Sequence, residues 1–240
     1  WVSRAKGSVP PLRFRGTPSE LSAKIRDWDA PSGLAVRLKR GAMGEAALPE
    51  RLIARTGRSE GLQEVRLRLP RHTPPGAYEG VVETAEGERP VRIEVEPEVE
   101  LDIVPGQLLL TGAPGERVST ELTLSNLGNV TVEVRRAYQL GLYAIGGLER
   151  AIRRAFAEPG KAEGANRVFD HMADEHGGLV RIEIHEGAGE LAPGMVRELS
   201  VTFRLPDGLD PARTYAGTWA LYDLRYYVQV MPSRAKKEGK

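Results

Sequence analysis

The sequence predicts an all-β chain built as two antiparallel β-sandwiches in tandem. One phrase occurs twice, its tyrosines 137 residues apart: Leu69-Pro70 runs on through Pro75-Gly76-Ala77-Tyr78-Glu79-Gly80, and Leu205-Pro206 runs on through Pro211-Ala212-Arg213-Thr214-Tyr215-Ala216-Gly217. Each copy follows a strand-like alternation, Val65/Leu67/Leu69 in one and Val201/Phe203/Leu205 in the other. Elsewhere, too, apolar residues recur at every second position, the period of a strand with one buried and one wet face. A chain of 240 residues has room for two domains that each bury a core.

The repeated corner fixes the kind of sandwich expected. A proline-rich turn leading to a Tyr two residues before a Gly is how immunoglobulin-like sandwiches pass from one sheet edge into the next strand. Tyr78, Gly80, Tyr215 and Gly217 are therefore read as structural corner residues.

The first domain is assigned to residues 1–98. Phe14 between Arg13 and Arg15 reads as a strand with alternating faces. Leu34, Val36 and Leu38 point one way, with Arg37 and Lys39 the other. Val65, Leu67 and Leu69 oppose Arg66 and Arg68. Tyr78–Val82 and Val91/Ile93/Val95 flank a Gly-containing hairpin loop at Ala85-Glu86-Gly87-Glu88. Pro97 and Pro105-Gly106 bracket Glu98–Val104, which reads as a short, semi-rigid link.

The second domain is assigned to residues 99–232, with a basic, disordered tail over 233–240. Pro114-Gly115-Glu116 is a turn; Val118, Thr120, Leu122 and Leu124 form a strand. Asn126–Asn129 is a second turn, and Val130, Val132 and Val134 return. The run from Glu121 to Val132 resembles the B–C hairpin of bacterial immunoglobulin-like domains of the CARDB and NEW3 type. Pro114-Gly115-Glu116 and Tyr215-Ala216-Gly217 fit the same resemblance. It covers residues 105–135 and 195–231 well and the first domain only through its second half. Such domains serve in adhesion, in surface layers and as spacers beside enzymes, so the resemblance implies a fold and no activity.

The pattern departs from that family over residues 139–177, where it turns helical. Leu148, Ile152, Ala155 and Phe156 share a helical face, and Glu158-Pro159-Gly160 stops the helix. A second helix is expected from Asn166 to His176, with Val168, Phe169 and Met172 on one face and Gly177-Gly178 at its end. Long inserted segments tend to carry function. Leu148, Ile152, Phe156, Phe169 and Met172 are accordingly the candidate partner-binding residues. After this insertion, strand alternation resumes at Leu179–His185. The final strands hold Tyr215, Trp219, Tyr222, Tyr226 and Tyr227, either as a tight hairpin near Tyr222-Asp223 or as one long bulged strand.

Composition narrows the chemistry. Net charge is +1, so no global field draws in nucleic acid or membrane. Charge is uneven, with nine Lys/Arg against four Asp/Glu in residues 1–46, and eight Glu against two Arg in residues 79–100. Zero cysteines remove disulfides, thiolate metal sites and Cys nucleophiles together. His171 and His176 sit five apart, on different helical sides, and His171 with Glu175 supplies two ligands where a metal wants three or four. His72 and His185 stand alone. The carboxylate pairs Asp27/Asp29 and Glu94/Glu96/Glu98 read as solvated strand faces. Trp28 between Asp27 and Asp29, and Phe14 between arginines, read as alternation rather than a single-strand nucleic-acid site. Asn129-Val130-Thr131 matches a glycosylation sequon.

The expectation is a non-catalytic exported scaffold or interaction subunit, with no cofactor and no metal. It binds partner proteins in a cell-envelope or extracellular assembly, in the periplasm or at the cell surface. No stretch approaches a membrane span, and a chain beginning at Trp1 reads as processed or trimmed. The alternative is a glycan-binding accessory module of a carbohydrate-active system that uses exposed Trp219, Tyr222 and Tyr227. A periplasmic pilus-assembly chaperone ranks below both.

Overall fold

The computed structural model describes residues 11–25, 34–38, 51–59, 62–84, 87–157 and 164–233. They are mostly strand, with two short helices. The chain divides into two compact units: Trp1–Glu100 together with Leu127–Val130, and Leu101–Asn126 together with Thr131–Lys240.

The first unit contains β1 (Leu12–Gly16), β2 (Leu21–Ile25), β3 (Leu34–Leu38), β4 (Arg51–Ser59), β5 (Leu62–Leu67), β6 (Gly76–Thr84) and β7 (Gly87–Val95). Their pairing closes on itself in the order β1-β2-β5-β4-β3-β6-β7. The closing step is parallel, Leu12 against Val91 through Gly16 against Val95. Alternation along β1 buries Leu12 and Phe14 and exposes Arg13 and Arg15. Val91, Ile93 and Val95 of β7 enter the same core, with Leu21, Val65, Leu67 and Val82. Arg15 pairs with Glu96 at 2.7 Å and Arg92 with Glu94 at 3.2 Å. These ion pairs are exposed, and each contributes only ~0.2–1 kcal/mol. The sequence positions Asp27, Trp28, Asp29, Lys39, Ala85 and Glu86 lie outside the described residues.

Leu127–Val130 belong to this unit through one buried amide. The Asn129 Oδ1 accepts the Glu98 N–H at 2.7 Å, and its Nδ2 donates to the Thr73 and Glu96 carbonyls at 3.1 and 3.0 Å. The Leu127 and Gly128 N–H groups both donate to the Glu100 carbonyl. The sequon asparagine is thus buried with both polar atoms engaged, which keeps it from a glycosylating enzyme while the unit is folded.

The second unit contains β8 (Leu101–Val104), β9 (Gln107–Gly112), β10 (Arg117–Asn126), β11 (Val132–Val134), β12 (Ala137–Ala144), α1 (Gly147–Ala157), α2 (Gly164–Asp174), β13 (His176–Glu186), β14 (Gly189–Leu191), β15 (Val196–Arg204), β16 (Tyr215–Leu221) and β17 (Leu224–Pro232). Eight strands run in the order β8-β10-β15-β13-β12-β16-β17-β9, and β11 pairs separately with β14. Two sequence readings are corrected here. Leu101–Val104 is a strand rather than a link, because Leu101 and Ile103 alternate into the core and β8 pairs with β10. The run Glu121–Val132 is not a hairpin. After Asn126 the chain is held by Asn129, and β11 then pairs with β14, Val132 against Leu191. Asn126 itself is buried and donates to the Leu191 carbonyl at 2.9 Å.

β16 and β17 form a two-residue hairpin, Leu221 opposite Leu224. Trp219 lies beneath it, edge-on to Tyr138, Phe203 and Tyr226, the arrangement favoured by the ring quadrupole.

In each corner the tyrosine hydroxyl bonds to the backbone of the loop before it, with opposite roles. The Tyr78 hydroxyl donates to the Pro74 carbonyl at 2.7 Å, and the Tyr215 hydroxyl accepts the Asp210 N–H at 3.1 Å. A Cβ on Gly80 would lie 2.7 Å from the Arg37 carbonyl oxygen on β3, and one on Gly217 would lie 2.4 Å from the Gly141 oxygen on β12. Each glycine permits close approach of a neighbouring strand.

Candidate interaction surface

Between β12 and β13 the chain makes its two helices, which pack on each other. Gly146 adopts φ 71 and accepts the Arg150 N–H at 3.2 Å, opening α1. Glu149 lies in the first turn and Arg154 in the last, both favourable to the helix dipole. Gly147, Ala151 and Ala155, spaced four apart, form the buried seam. The larger apolar side chains of the same helix, Leu148, Ile152 and Phe156, face solvent, with Phe156 72% exposed. On α2, Phe169 is 74% exposed and Met172 half-buried. The structure therefore splits the face expected for α1: Ala155 goes inward while Leu148, Ile152 and Phe156 stay out. Small residues win the seam because they let two helices approach closely. The helix stop Glu158-Pro159-Gly160 lies outside the described residues.

One carboxylate anchors this segment. Glu175 is only 1% exposed, and its Oε2 accepts from Arg150 at 2.6 Å and from Arg213 at 3.0 Å. Arg154 approaches its Oε1 at 3.8 Å. Three guanidiniums from α1 and the corner loop thus converge on the residue where α2 ends. The hydrogen bond from Arg150 holds the Glu175 carboxyl below the usual glutamate range, against a burial penalty that would raise it. Sequence reading missed this hub, since a glutamate at a helix end looks solvated. Arg150 and Arg154, one turn apart on α1, were the available signal.

The other sequence candidates disperse. Each histidine has its own neighbour: His72 Nδ1 meets the Gly128 carbonyl at 2.9 Å, His171 lies 3.8 Å from Asp174, His176 packs edge-on to Tyr143, and His185 meets Thr202 at 2.9 Å. Among the described residues no three His, Asp or Glu cluster as metal ligands. Phe14 is buried and offers no stacking face to a nucleic acid. Trp219 is 0% exposed, so the aromatic platform of Trp219, Tyr222 and Tyr227 does not form on the surface. The Tyr222 hydroxyl is instead bound to the backbone of Glu133, accepting its N–H at 2.8 Å and donating to its carbonyl at 3.2 Å. Among the described residues no helix is long and apolar enough to cross a membrane.

No known family profile matches the chain, and no curated protein matches it. Solved structures resemble it distantly. A protein of unknown function from Porphyromonas gingivalis W83 is 14% identical over 92% of this chain and 96% of that one, with a TM-score of 0.24. The titin I-band fragment I67–I69 is 10% identical over 95% and 64%, at 0.35. Dpr11 IG1 bound to DIP-gamma is 9% identical over 94% and 98%, at 0.28. Similarities this low carry no argument about function.

Proposed function

We propose that the chain is a non-catalytic, exported scaffold or interaction subunit of two immunoglobulin-like domains, and that α1 and α2 dock a partner protein of a cell-envelope or extracellular assembly. The domain reading is supported by the twin corners and by the matching end of each unit, where the last strand pairs in parallel with an early one, β7 with β1 and β17 with β9. Export is part of the proposal on the strength of that architecture.

The observation that carries the docking role is the exposed stripe Leu148, Ile152 and Phe156, four apart on one helix, with Phe169 exposed on the other. Fully burying such side chains is worth ~1.5–3 kcal/mol each, so four of them offer roughly 6–12 kcal/mol to an interface. The inner seam and the Glu175 hub hold the helices without these residues, which leaves them free to bind.

The test is Phe156→Asp in the full chain, assayed by size-exclusion chromatography of the complex isolated from its native source. The complex is expected to fall apart while thermal melting of the isolated chain is unchanged. A large loss of melting temperature with the complex intact would make the helices an internal lid and overturn the proposal.

A further inference from the structure

The outer face of the second unit carries a row of like charges that folding alone does not explain. Arg117 on β10 lies directly opposite Arg204 on β15, and Arg204 lies directly opposite Arg181 on β13. Adjacent strands are ~4.8 Å apart, so three guanidiniums project side by side from one line across the sheet. Like charges directly opposite on neighbouring strands are destabilising. Arg181 has Glu183 at 2.9 Å, but the guanidiniums of Arg117 and Arg204 meet no carboxylate among the described residues. The row continues through Gln139, opposite Arg181 on β12, into an open recess of about 440 Å³ walled by Arg135, Tyr138, Gln139 and Arg181.

We infer that this row and recess bind an anionic polysaccharide, a glycan chain bearing carboxylate or sulfate groups. The guanidinium fork matches a carboxylate or sulfate in two parallel hydrogen bonds. The Gln139 amide suits the neutral hydroxyls of the same chain. Direction excludes the competitors. The row runs perpendicular to the strands, so an acidic peptide lying along it gains no β-ladder hydrogen bonds. Single-stranded nucleic acid wants aromatic faces on which to stack, and the Tyr138 ring is packed against Trp219 at 5.3 Å. This site is separate from the helical stripe and from the proposed protein partner, so either reading can fail alone.

The test is calorimetric titration of the full chain with polygalacturonate at low salt, beside neutral dextran, polyglutamate and a thymidine oligonucleotide of matched charge. Binding to polygalacturonate alone is expected, weakening as salt rises. Arg204→Thr is expected to weaken it at least about tenfold, the worth of one charge-assisted hydrogen bond. Its melting temperature should hold or rise, because a like-charge contact is removed. Phe156→Asp should bind the polysaccharide as the parent does. Unchanged affinity in an Arg117→Thr/Arg204→Thr double variant overturns the inference. So does equal or tighter binding of polyglutamate or of the oligonucleotide.

Discussion

The two units end alike and differ in the middle. In each, a corner tyrosine lies within the first three residues of the penultimate strand and a glycine two residues on admits a neighbouring backbone. In each, the last strand closes in parallel on an early one. Between β3 and β4, antiparallel partners in the first unit, the chain spends residues 39–50; between β12 and β13, antiparallel partners in the second, it spends residues 145–175. In both units the corner tyrosine is buried and its hydroxyl is hydrogen-bonded to backbone, as a structural residue would be. The longer connection leaves Leu148, Ile152, Phe156 and Phe169 in water, which is why the docking role is proposed for it.

Core truncation should produce the largest effect and show whether each unit owns its core. Trp219→Ala and Phe14→Ala are each expected to cost about 3–5 kcal/mol. Hydrogen exchange read by mass spectrometry should speed up mainly in the unit that carries the change; equal loss in both would merge the two cores into one cooperative block.

A smaller effect is expected at the Glu175 anchor of the second unit. Glu175→Gln removes charge-assisted hydrogen bonds of ~1.5–3 kcal/mol, and hydrogen exchange should rise first in α1. The sign with pH follows from the depressed carboxyl: its contribution is present above the ordinary value of 4.5 and is lost as pH falls through the lower folded value. Acid titration of the parent should therefore release α1, and the variant should lack that step.

The corner hydroxyls come next. Tyr78→Phe and Tyr215→Phe are each expected to cost ~0.5–1.5 kcal/mol, measured by denaturant melts. Similar costs sustain the structural equivalence of the corners, and a null effect at one would break it. The mildest test is alkaline. Burial pushes the Tyr226 hydroxyl up to about 12, so its contribution is complete below the ordinary value of 10 and declines as pH rises towards 12. Tyr226→Phe should flatten that decline in the second unit.

The sequence made the corner legible because its information is local: one tyrosine, one glycine and the prolines before them. The helices were legible from their period, yet their orientation was not. Leu148, Ile152 and Phe156 form as good an apolar stripe as Gly147, Ala151 and Ala155, and only the partner helix decides which turns inward. The pairings of β1 with β7 and of β11 with β14 were hidden, since they join residues far apart in the chain. The arginine row was hidden for the same reason: Arg117, Arg181 and Arg204 become neighbours only through strand register. The Glu175 hub is hidden in the sequence because its three arginines come from two distant segments.

The central claim is that the longer connection of the second unit, and not apolar exposure in general, carries partner recognition. Phe156 in α1 and Ile53 in β4 of the first unit are both 72% exposed, which makes them a matched pair. A photo-crosslinking amino acid placed at one position or the other, in cells that make the full chain, separates the two possibilities. The account expects one discrete protein adduct from position 156 and none from position 53; an adduct from position 53, or none from position 156, would contradict it.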